Sequence, residues 1–161
     1  MSEVEANIEV IRRHYTTISS GDVDAALENF AEDVQNHGLY RSRERTGAVL
    51  RDVQTTFPDW SMEILDAVGV DDNVVVRAKV SGTHRGVGRL PANGALLIGV
   101  PPTGKSFVVQ HIHWYRMKDG KIVDHRANRD DLGMLQQLGI VPGLDARVDL
   151  LPAEPSNRSE N

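Results

Sequence analysis

The chain opens with apolar residues at helical spacing. They recur every three or four positions, at Val4, Ile8, Ile11, Tyr15 and Ile18. Glu and Arg stand between them, and this pattern is typical of an amphipathic helix. The Ser19-Ser20-Gly21 segment ends the helix, and Asp22 is suited to cap a second, shorter helix that reaches Phe30.

The next hundred residues or so mix short alternating runs with turn signals. The pattern predicts, in chain order, a short strand at 34–38, a helix at 43–57, strands at 60–65 and 74–84, a long irregular segment at 85–105 and a final helix at 129–138. Helices followed by strands, without regular alternation, predict an α+β fold with a largely antiparallel sheet. We expect one domain at 1–144 and a flexible tail at 145–161, which is polar and contains proline.

The alternation is clearest on both sides of Asp119-Gly120. Asp-Gly between two such runs is the strongest short signal for a β-hairpin, because both turn residues need a positive φ. A turn at this point predicts a register with these facing pairs: Met117–Ile122, Arg116–Val123, Tyr115–Asp124, Trp114–His125, His113–Arg126 and His111–Asn128.

This register gives the hairpin one chemically equipped face, because successive residues of a strand point to opposite sides. Acid, base and hydrogen-bonding groups share it with apolar ones: Val109, His111, His113, Tyr115, Met117, Ile122, Asp124, Arg126 and Asn128. The other face carries Val108, Ile112 and Trp114 beside Val123, His125 and Ala127. Helices packed on one side of a curved sheet leave a cavity. We expect the hairpin face that carries His111, His113 and Asp124 to line it.

Composition narrows the classes of function. The chain has 161 residues, a formal net charge of −5 and no cysteine, so disulfides, zinc-cysteine sites and thiol nucleophiles are excluded. The mildly acidic balance gives no reason to expect nucleic acid or a membrane surface as partner. No secretory signal or spanning segment is recognised, and a cytoplasmic location is expected.

Several segments together resemble one family, the SnoaL-like polyketide cyclases or ester cyclases, over most of residues 5–140. The matching segments are Phe57-Pro58-Asp59-Trp60, Gly82-Thr83-His84-Arg85-Gly86, Pro102-Thr103-Gly104-Lys105, the stretch from Asp119 to His125, and Asp130 to Gly139. The resemblance implies a cone-shaped α+β fold of the nuclear-transport-factor type, with N-terminal helices covering the sheet. It also implies a homodimer or higher homo-oligomer, which the exposed Ile112 and Trp114 expected on the outer sheet face would suit.

The resemblance also implies site residues. It assigns the general acid/base role to Asp124 and an assisting role to His111 or His113. It also places Asn36 and Tyr15 in the lining of the pocket. This chain departs from the family in two ways: Arg126 stands where members often have tryptophan, and the segment at 85–105 is longer than the usual glycine-rich loop. Tyr115, Arg126 and Asn128 complete the candidate substrate-binding set from the face argument.

Structural roles compete with these assignments. Asp124 and Arg126 are equally suited to a plain ion pair, and Tyr15 to a core position. The side chains of two histidines two residues apart on a strand can both point into a cavity without binding a metal ion. Neither a metal nor a cofactor is predicted. His84 is interpreted as a loop-bonding residue, and His14 and His37 as surface or rim residues.

The leading functional hypothesis is a cofactor-independent cyclase for a polyketide-like ester or ketone. A base removes a proton beside a carbonyl group, and the enolate closes a ring by intramolecular aldol addition. A hydrolase or isomerase is the first alternative, since an Asp and an Arg two residues apart resemble, in reversed order, the water-activating set of limonene epoxide hydrolases. The second alternative is a non-catalytic module for small-molecule binding or assembly.

Overall fold

The structure is a computed structural model that describes residues 1–91 and 96–143. Within these residues there are four helices: α1 Glu3–Ser19, α2 Val23–Leu27, α3 Arg43–Thr56 and α4 Asp131–Gln137. Six strands accompany them: β1 Phe30–Asn36, β2 Leu39–Tyr40, β3 Ser61–Val70, β4 Asn73–Thr83, β5 Ser106–Lys118 and β6 Lys121–Arg129. The predicted tail at 145–161 lies outside the described residues.

One six-stranded sheet carries the fold, with the strand order β2-β1-β6-β5-β4-β3. Every neighbouring pair is antiparallel except β1 and β6, which run parallel. The α+β prediction is confirmed, and so is the largely antiparallel sheet, although β2 and β3 form its edges and the described sheet is open, not a closed barrel. No helix of the described residues is long and apolar enough to cross a membrane.

The core lies between α1 and the inner face of the sheet. Alternation along β4 and β5 sends one set of side chains inward, and every second residue of β5 is buried. Ile11 and Tyr15 of α1 meet Val76 and Tyr115 in this core. A capping box at Ser2 and Glu5 starts α1 by satisfying backbone N–H groups of its first turn.

Two sequence predictions near β1 are wrong. Phe30 begins β1 instead of extending the second helix, which ends at Leu27. His37 and Gly38 do not belong to a strand: they form the turn between β1 and β2, with φ of 54° and 75°. The positive φ at both positions allows the tight reversal that sends the chain back along β1.

The β5–β6 turn is predicted correctly, but the register beyond it is not. Asp119 and Gly120 have φ of 49° and 71°, as a two-residue hairpin turn requires. Met117 faces Ile122 as expected, and the register then shifts. Arg116 faces Asp124 instead of Val123, so β6 carries one extra residue at this bulge.

The shift changes which β6 residues share a face with the inward residues of β5. His125 lies opposite Tyr115, Ala127 opposite His113 and Arg129 opposite His111; Asp124, Arg126 and Asn128 lie opposite Arg116, Trp114 and Ile112. A one-residue slip exchanges the two faces of a strand. The predicted facing partners of Tyr115, Trp114, His113 and His111 are therefore wrong.

Candidate active site

A cavity of about 540 Å³ opens on the inner face of the sheet. Its apolar wall comes from α1, β1, α3 and the start of β3, and includes Ile18, Phe30, Val34, Leu50, Val53, Trp60 and Met62. Leu90 and Pro91 border it from the segment after β4. The backbone N–H groups of Arg89 and Leu90 donate to the Asp52 carboxylate at 3.1 Å, which holds this border against α3.

The polar wall is basic. Five histidines and three arginines line the cavity: His14, His37, His111, His113, His125, Arg41, Arg45 and Arg129. No Asp or Glu is among the described lining residues. The volume and the apolar majority suit a small organic molecule, and the positive charge favours an oxygen that carries or develops negative charge.

Two histidines and an asparagine form a chain of contacts at the base of the cavity. His113 Nδ1 lies 2.9 Å from His125 Nε2, and His125 Nδ1 lies 3.3 Å from Asn36 Nδ2. With the Asn36 amide nitrogen donating, His125 carries its proton on Nε2 and His113 carries its own on Nε2. With the amide turned over, both protons move to Nδ1 and His113 Nε2 becomes an acceptor.

The free end of this chain is buried. His113 is 6% exposed, and its Nε2 has no hydrogen-bond partner among the described residues. Buried polar atoms are nearly always paired, so an unpaired one beside a cavity indicates a ligand-binding position. His111 Nδ1 is likewise unpaired, its ring centre 5.4 Å from that of His113.

Burial keeps these imidazoles neutral near pH 7. It lowers the pKa of His111 to about 4 and that of His125 to about 3. Burial also lowers the pKa of His113 well below its ordinary value, and the nearby His125 and His111 add to the effect. A neutral imidazole can accept a proton or donate one, according to its tautomer.

A second histidine group comes from α1. His14 is buried, lines the cavity and has an unpaired Nδ1, and burial lowers its pKa to about 4. Its ring meets Phe30 edge-on at 5.0 Å. The expectation of a surface or rim position is therefore wrong for His14, whereas His37 does lie exposed at the rim.

The predicted acid, Asp124, is buried but is not among the residues that line the cavity. The Gly38 N–H donates to its Oδ1 at 3.2 Å, and Arg126 Nε donates to its Oδ2 at 3.0 Å. Burial raises the pKa of Asp124, but the bonds from Gly38 and Arg126, with the charge of Arg126, outweigh this and leave the pKa below its ordinary value. The carboxylate thus ties the β1–β2 turn to β6.

The structure brings four of the predicted site residues together on the cavity wall: Asn36, His111, His113 and Tyr115. The other four do not line it: Tyr15, Asp124, Arg126 and Asn128. Tyr15 lies one layer behind, where its hydroxyl accepts a bond from the Tyr115 hydroxyl at 3.2 Å. Arg126 and Asn128 are exposed on the opposite side of β6 from His125.

Sequence reasoning missed His14, His125 and Arg129. His14 stands three residues after Ile11 and four before Ile18, so helical spacing alone assigns it to the buried stripe of α1. His125 and Arg129 of β6 were missed because the bulge moves them to the sheet face opposite to the one that the predicted register gives. The adjacent apolar pair Ile122-Val123 breaks strict alternation and is the one signal of it.

No group of three His, Asp or Glu side chains within residues 1–91 and 96–143 has the arrangement of a metal site. His84, assigned to the loop, is fully buried, and the Thr103 N–H donates to its Nδ1 at 3.3 Å. The backbone N–H of His84 donates to the Lys105 carbonyl at 2.9 Å and closes the base of the loop.

Comparison with known proteins agrees with the fold. The family model of the SnoaL-like polyketide cyclases matches residues 8–138. A sheet that holds a cavity of this size against N-terminal helices is typical of a small-molecule protein of the α+β class, and the match covers the residues that line the cavity. The chain belongs to the SnoaL-like polyketide cyclase family, a family of enzymes, as the resemblance predicted.

Individual relatives give the same result. The chain is 32% identical over 139 residues to aklanonic acid methyl ester cyclase DauD of Streptomyces sp. (strain C5), covering 82% of this chain and 81% of the relative. It is 33% identical over 130 residues to nogalonic acid methyl ester cyclase of Streptomyces nogalater, covering 77% and 90%. The crystal structure of IdmH from Streptomyces antibioticus superposes with a TM-score of 0.67 at 31% identity, covering 83% and 98%.

Proposed function

We propose that this protein closes a ring in a polyketide-like ester by intramolecular aldol addition, without a cofactor, and that His113 is the base. One observation carries the proposal: His113 lines a largely apolar cavity, its buried Nε2 has no partner among the described residues, and its other ring nitrogen is bonded to His125. Two of these relatives, DauD and the Streptomyces nogalater protein, are cyclases of aklanonic and nogalonic acid methyl ester. An ester of this type is the proposed substrate.

The reaction needs one proton to move twice. His113 Nε2 takes a proton from the carbon beside a carbonyl group, and the C–H electron pair becomes an enolate. The enolate carbon attacks a ketone carbon of the same molecule, a C–C bond forms, and the resulting alkoxide takes the proton back from His113. Nothing is lost or gained, so the product is an isomer of the substrate.

The Asn36–His125–His113 chain supports the proton transfer. When His113 Nε2 accepts the proton, the ring becomes an imidazolium whose Nδ1–H donates to His125 Nε2. The step starts from the form in which the Asn36 amide is turned over, because only then does its oxygen accept from His125 Nδ1–H and His113 Nε2 carry no proton. Each atom of the chain therefore has a partner in both protonation states.

Asp124, assigned as the acid by the resemblance, is proposed here as a positioning residue. Its bond to the Gly38 N–H holds the turn that follows Asn36, and thus the last member of the chain. No observation favours the epoxide hydrolase alternative. That alternative depends on the Asp124–Arg126 pair, which is not part of the described cavity lining.

The experiment compares wild type with His113→Asn on aklanonic acid methyl ester and nogalonic acid methyl ester. Asparagine can still bond His125 near the Nδ1 position but has no group at the Nε2 position. Chromatography with mass detection follows loss of the ester and appearance of an isomer of equal mass. Wild-type turnover that His113→Asn loses supports the proposal. Equal turnover in both contradicts the base assignment, and binding of either ester without turnover supports the non-catalytic alternative.

A homodimer through the outer sheet face is also proposed. Val108, Ile112 and Trp114 project from β5 on that face with 55%, 42% and 51% exposure. Exposed apolar side chains in such a row suit a self-complementary contact. Sedimentation velocity at tens of micromolar should give the mass of a dimer, and Ile112→Lys should give a monomer. A wild-type monomer contradicts the proposal.

A further inference from the structure

Arg129 occupies a position on the cavity wall that nothing above has used. It is the last residue of β6 and lies directly opposite His111 of β5 in the sheet register. Both side chains line the cavity. Directly opposite residues of an antiparallel pair have neighbouring Cβ atoms on one face, so Arg129 and His111 act on the same part of any bound molecule.

The guanidinium of Arg129 is held by one edge. Its Nε donates to Asp131 Oδ1 and Oδ2 at 3.3 and 3.4 Å, at the first turn of α4. Within residues 1–91 and 96–143 its Nη groups donate to no protein acceptor. The ion pair is about three-quarters buried on each side, with exposures of 26% and 25%. Such an arrangement fixes the direction of the group and leaves N–H donors for a ligand.

His111 adds a donor position of a different kind. It is 4% exposed, and its Nδ1 is buried without a partner among the described residues. Its ring lies beside that of His113, with centres 5.4 Å apart. A group bonded to His111 Nδ1 is therefore a close neighbour of a carbon that gives its proton to His113 Nε2.

We infer that Arg129 and His111 form an oxyanion subsite, which binds the carbonyl oxygen that becomes the enolate oxygen. The inference rests on the proposed function and names the group that its reaction needs next to the base. As the C–H bond breaks, the electron pair moves to that oxygen, beside a permanent cation and a neutral N–H donor. When the new C–C bond forms, the pair leaves the oxygen and the carbonyl is restored.

Of the three charged groups around His111, only the Arg129 guanidinium lines the cavity. The facing groups are Arg129 and His111 themselves, His113 on the same strand, and Asp130 and Asp131 at the start of α4. Asp131 is engaged by Arg129 Nε, and neither aspartate is among the described lining residues. The substrate class that fits is a 1,3-dicarbonyl compound, in which an oxygen stands on the carbon next to the acidic C–H.

The test uses a ligand that ionises but cannot cyclise. The probe is 1,3-diphenylpropane-1,3-dione, whose enolate absorbs at longer wavelength than its enol and which has no further carbonyl for ring closure. Titration of the bound probe by absorbance measures its pKa on each variant. Wild type should lower this pKa by about one unit or more. Arg129→Gln should remove the shift, and Arg129→Lys should retain part of it.

Two matched comparisons sharpen the test. Arg77→Gln removes an arginine from the outer face of β4, opposite Ile112, and should leave the shift unchanged. His111→Asn keeps a donor near the Nδ1 position and should retain more of the shift than His111→Leu. On an ester that turns over, Arg129→Gln should lower kcat about 100-fold, the usual effect of removing one oxyanion donor, with little change in KM.

The two proposals fail separately. If wild type fails to shift the pKa of the probe, or if Arg129→Gln shifts it as wild type does, the oxyanion subsite is overturned whatever the turnover. If the Arg129-dependent shift is present but no ester is cyclised, the subsite is supported and the proposed reaction is contradicted. If His113→Asn loses turnover while it retains the probe shift, both are supported.

Discussion

Asp124 and His125 are neighbours on β6, yet they belong to two different regions of the molecule. The Asp124 carboxylate is not part of the cavity lining, and each of its oxygens accepts one hydrogen bond, from Gly38 and from Arg126. His125 lies on the cavity side, in a chain that ends at the unpaired Nε2 of His113. Burial is common to both regions. The difference is whether the buried polar atoms have partners in the protein, which indicates a structural role, or lack a partner beside a cavity, which indicates a ligand.

The largest effect is expected at the free end of the histidine chain. His113→Asn should lower kcat by about 10³-fold or more, since a positioned general base contributes about 10² to 10⁴-fold. Far-UV circular dichroism and the unfolding midpoint should stay close to wild type, because the bond toward His125 is kept. A loss of kcat of less than tenfold would contradict the assignment of His113 as the base.

The other end of the chain should respond through pH. Asn36→Asp sets a carboxylate beside His125 Nδ1, which favours the imidazolium and raises the pKa of the histidine pair. A base must be neutral to accept a proton, so activity should fall toward the acid end of the range and recover as pH rises. The check is kcat/KM from pH 5.5 to 8.5. Asn36→Ala should lower the rate without introducing this pH dependence. An unchanged pH profile in Asn36→Asp would contradict the proposed coupling of Asn36 to His113 through His125.

The sequence reveals these two regions unequally, for local reasons. Asp119-Gly120 specifies its own turn, and the unbroken alternation of β5 assigns His111, His113 and Tyr115 to one face correctly. The bulge after Ile122 is different, because it also depends on how β1 pairs with β6, at Phe30–Ile122 and Gln35–Asp124. A contact with a strand ninety residues away leaves little trace in the local pattern, so the faces of β6 were exchanged.

Stability should depend on pH through the buried histidines. The unfolded chain protonates histidine near pH 6.5, whereas burial lowers the pKa of His14 and His111 to about 4 and that of His125 to about 3. Between these values the unfolded state binds more protons, so the free energy of unfolding is largest above pH 7 and falls as pH drops toward 4. Each histidine contributes up to about 1.4 kcal/mol per pH unit.

Urea unfolding at pH 7.5, 6 and 5 measures this slope. His125→Phe should reduce it, because one of the buried imidazoles is gone. A slope that His125→Phe leaves unaltered would contradict the neutral, buried state assigned to the cavity histidines.

The smallest effect on turnover is expected at Asp124, which does not line the cavity. Asp124→Asn can still accept from the Gly38 N–H but loses the charge-assisted bond from Arg126, whose side chain is 59% exposed. The cost should be about 1 kcal/mol in the free energy of unfolding, because the exposed partner is screened by water. Turnover should fall less than tenfold, by a small displacement of Asn36.

The pH dependence of that cost follows from the pKa of Asp124, which lies below its ordinary value in the folded protein. Its contribution to stability is present above the unfolded value, near pH 4, and is lost as pH falls through the folded pKa. The difference between wild type and Asp124→Asn should therefore be constant from pH 7 to 5 and shrink toward pH 3. Turnover lost by orders of magnitude in Asp124→Asn, with stability unchanged, would instead return the acid/base role to Asp124, as the family resemblance assigns it.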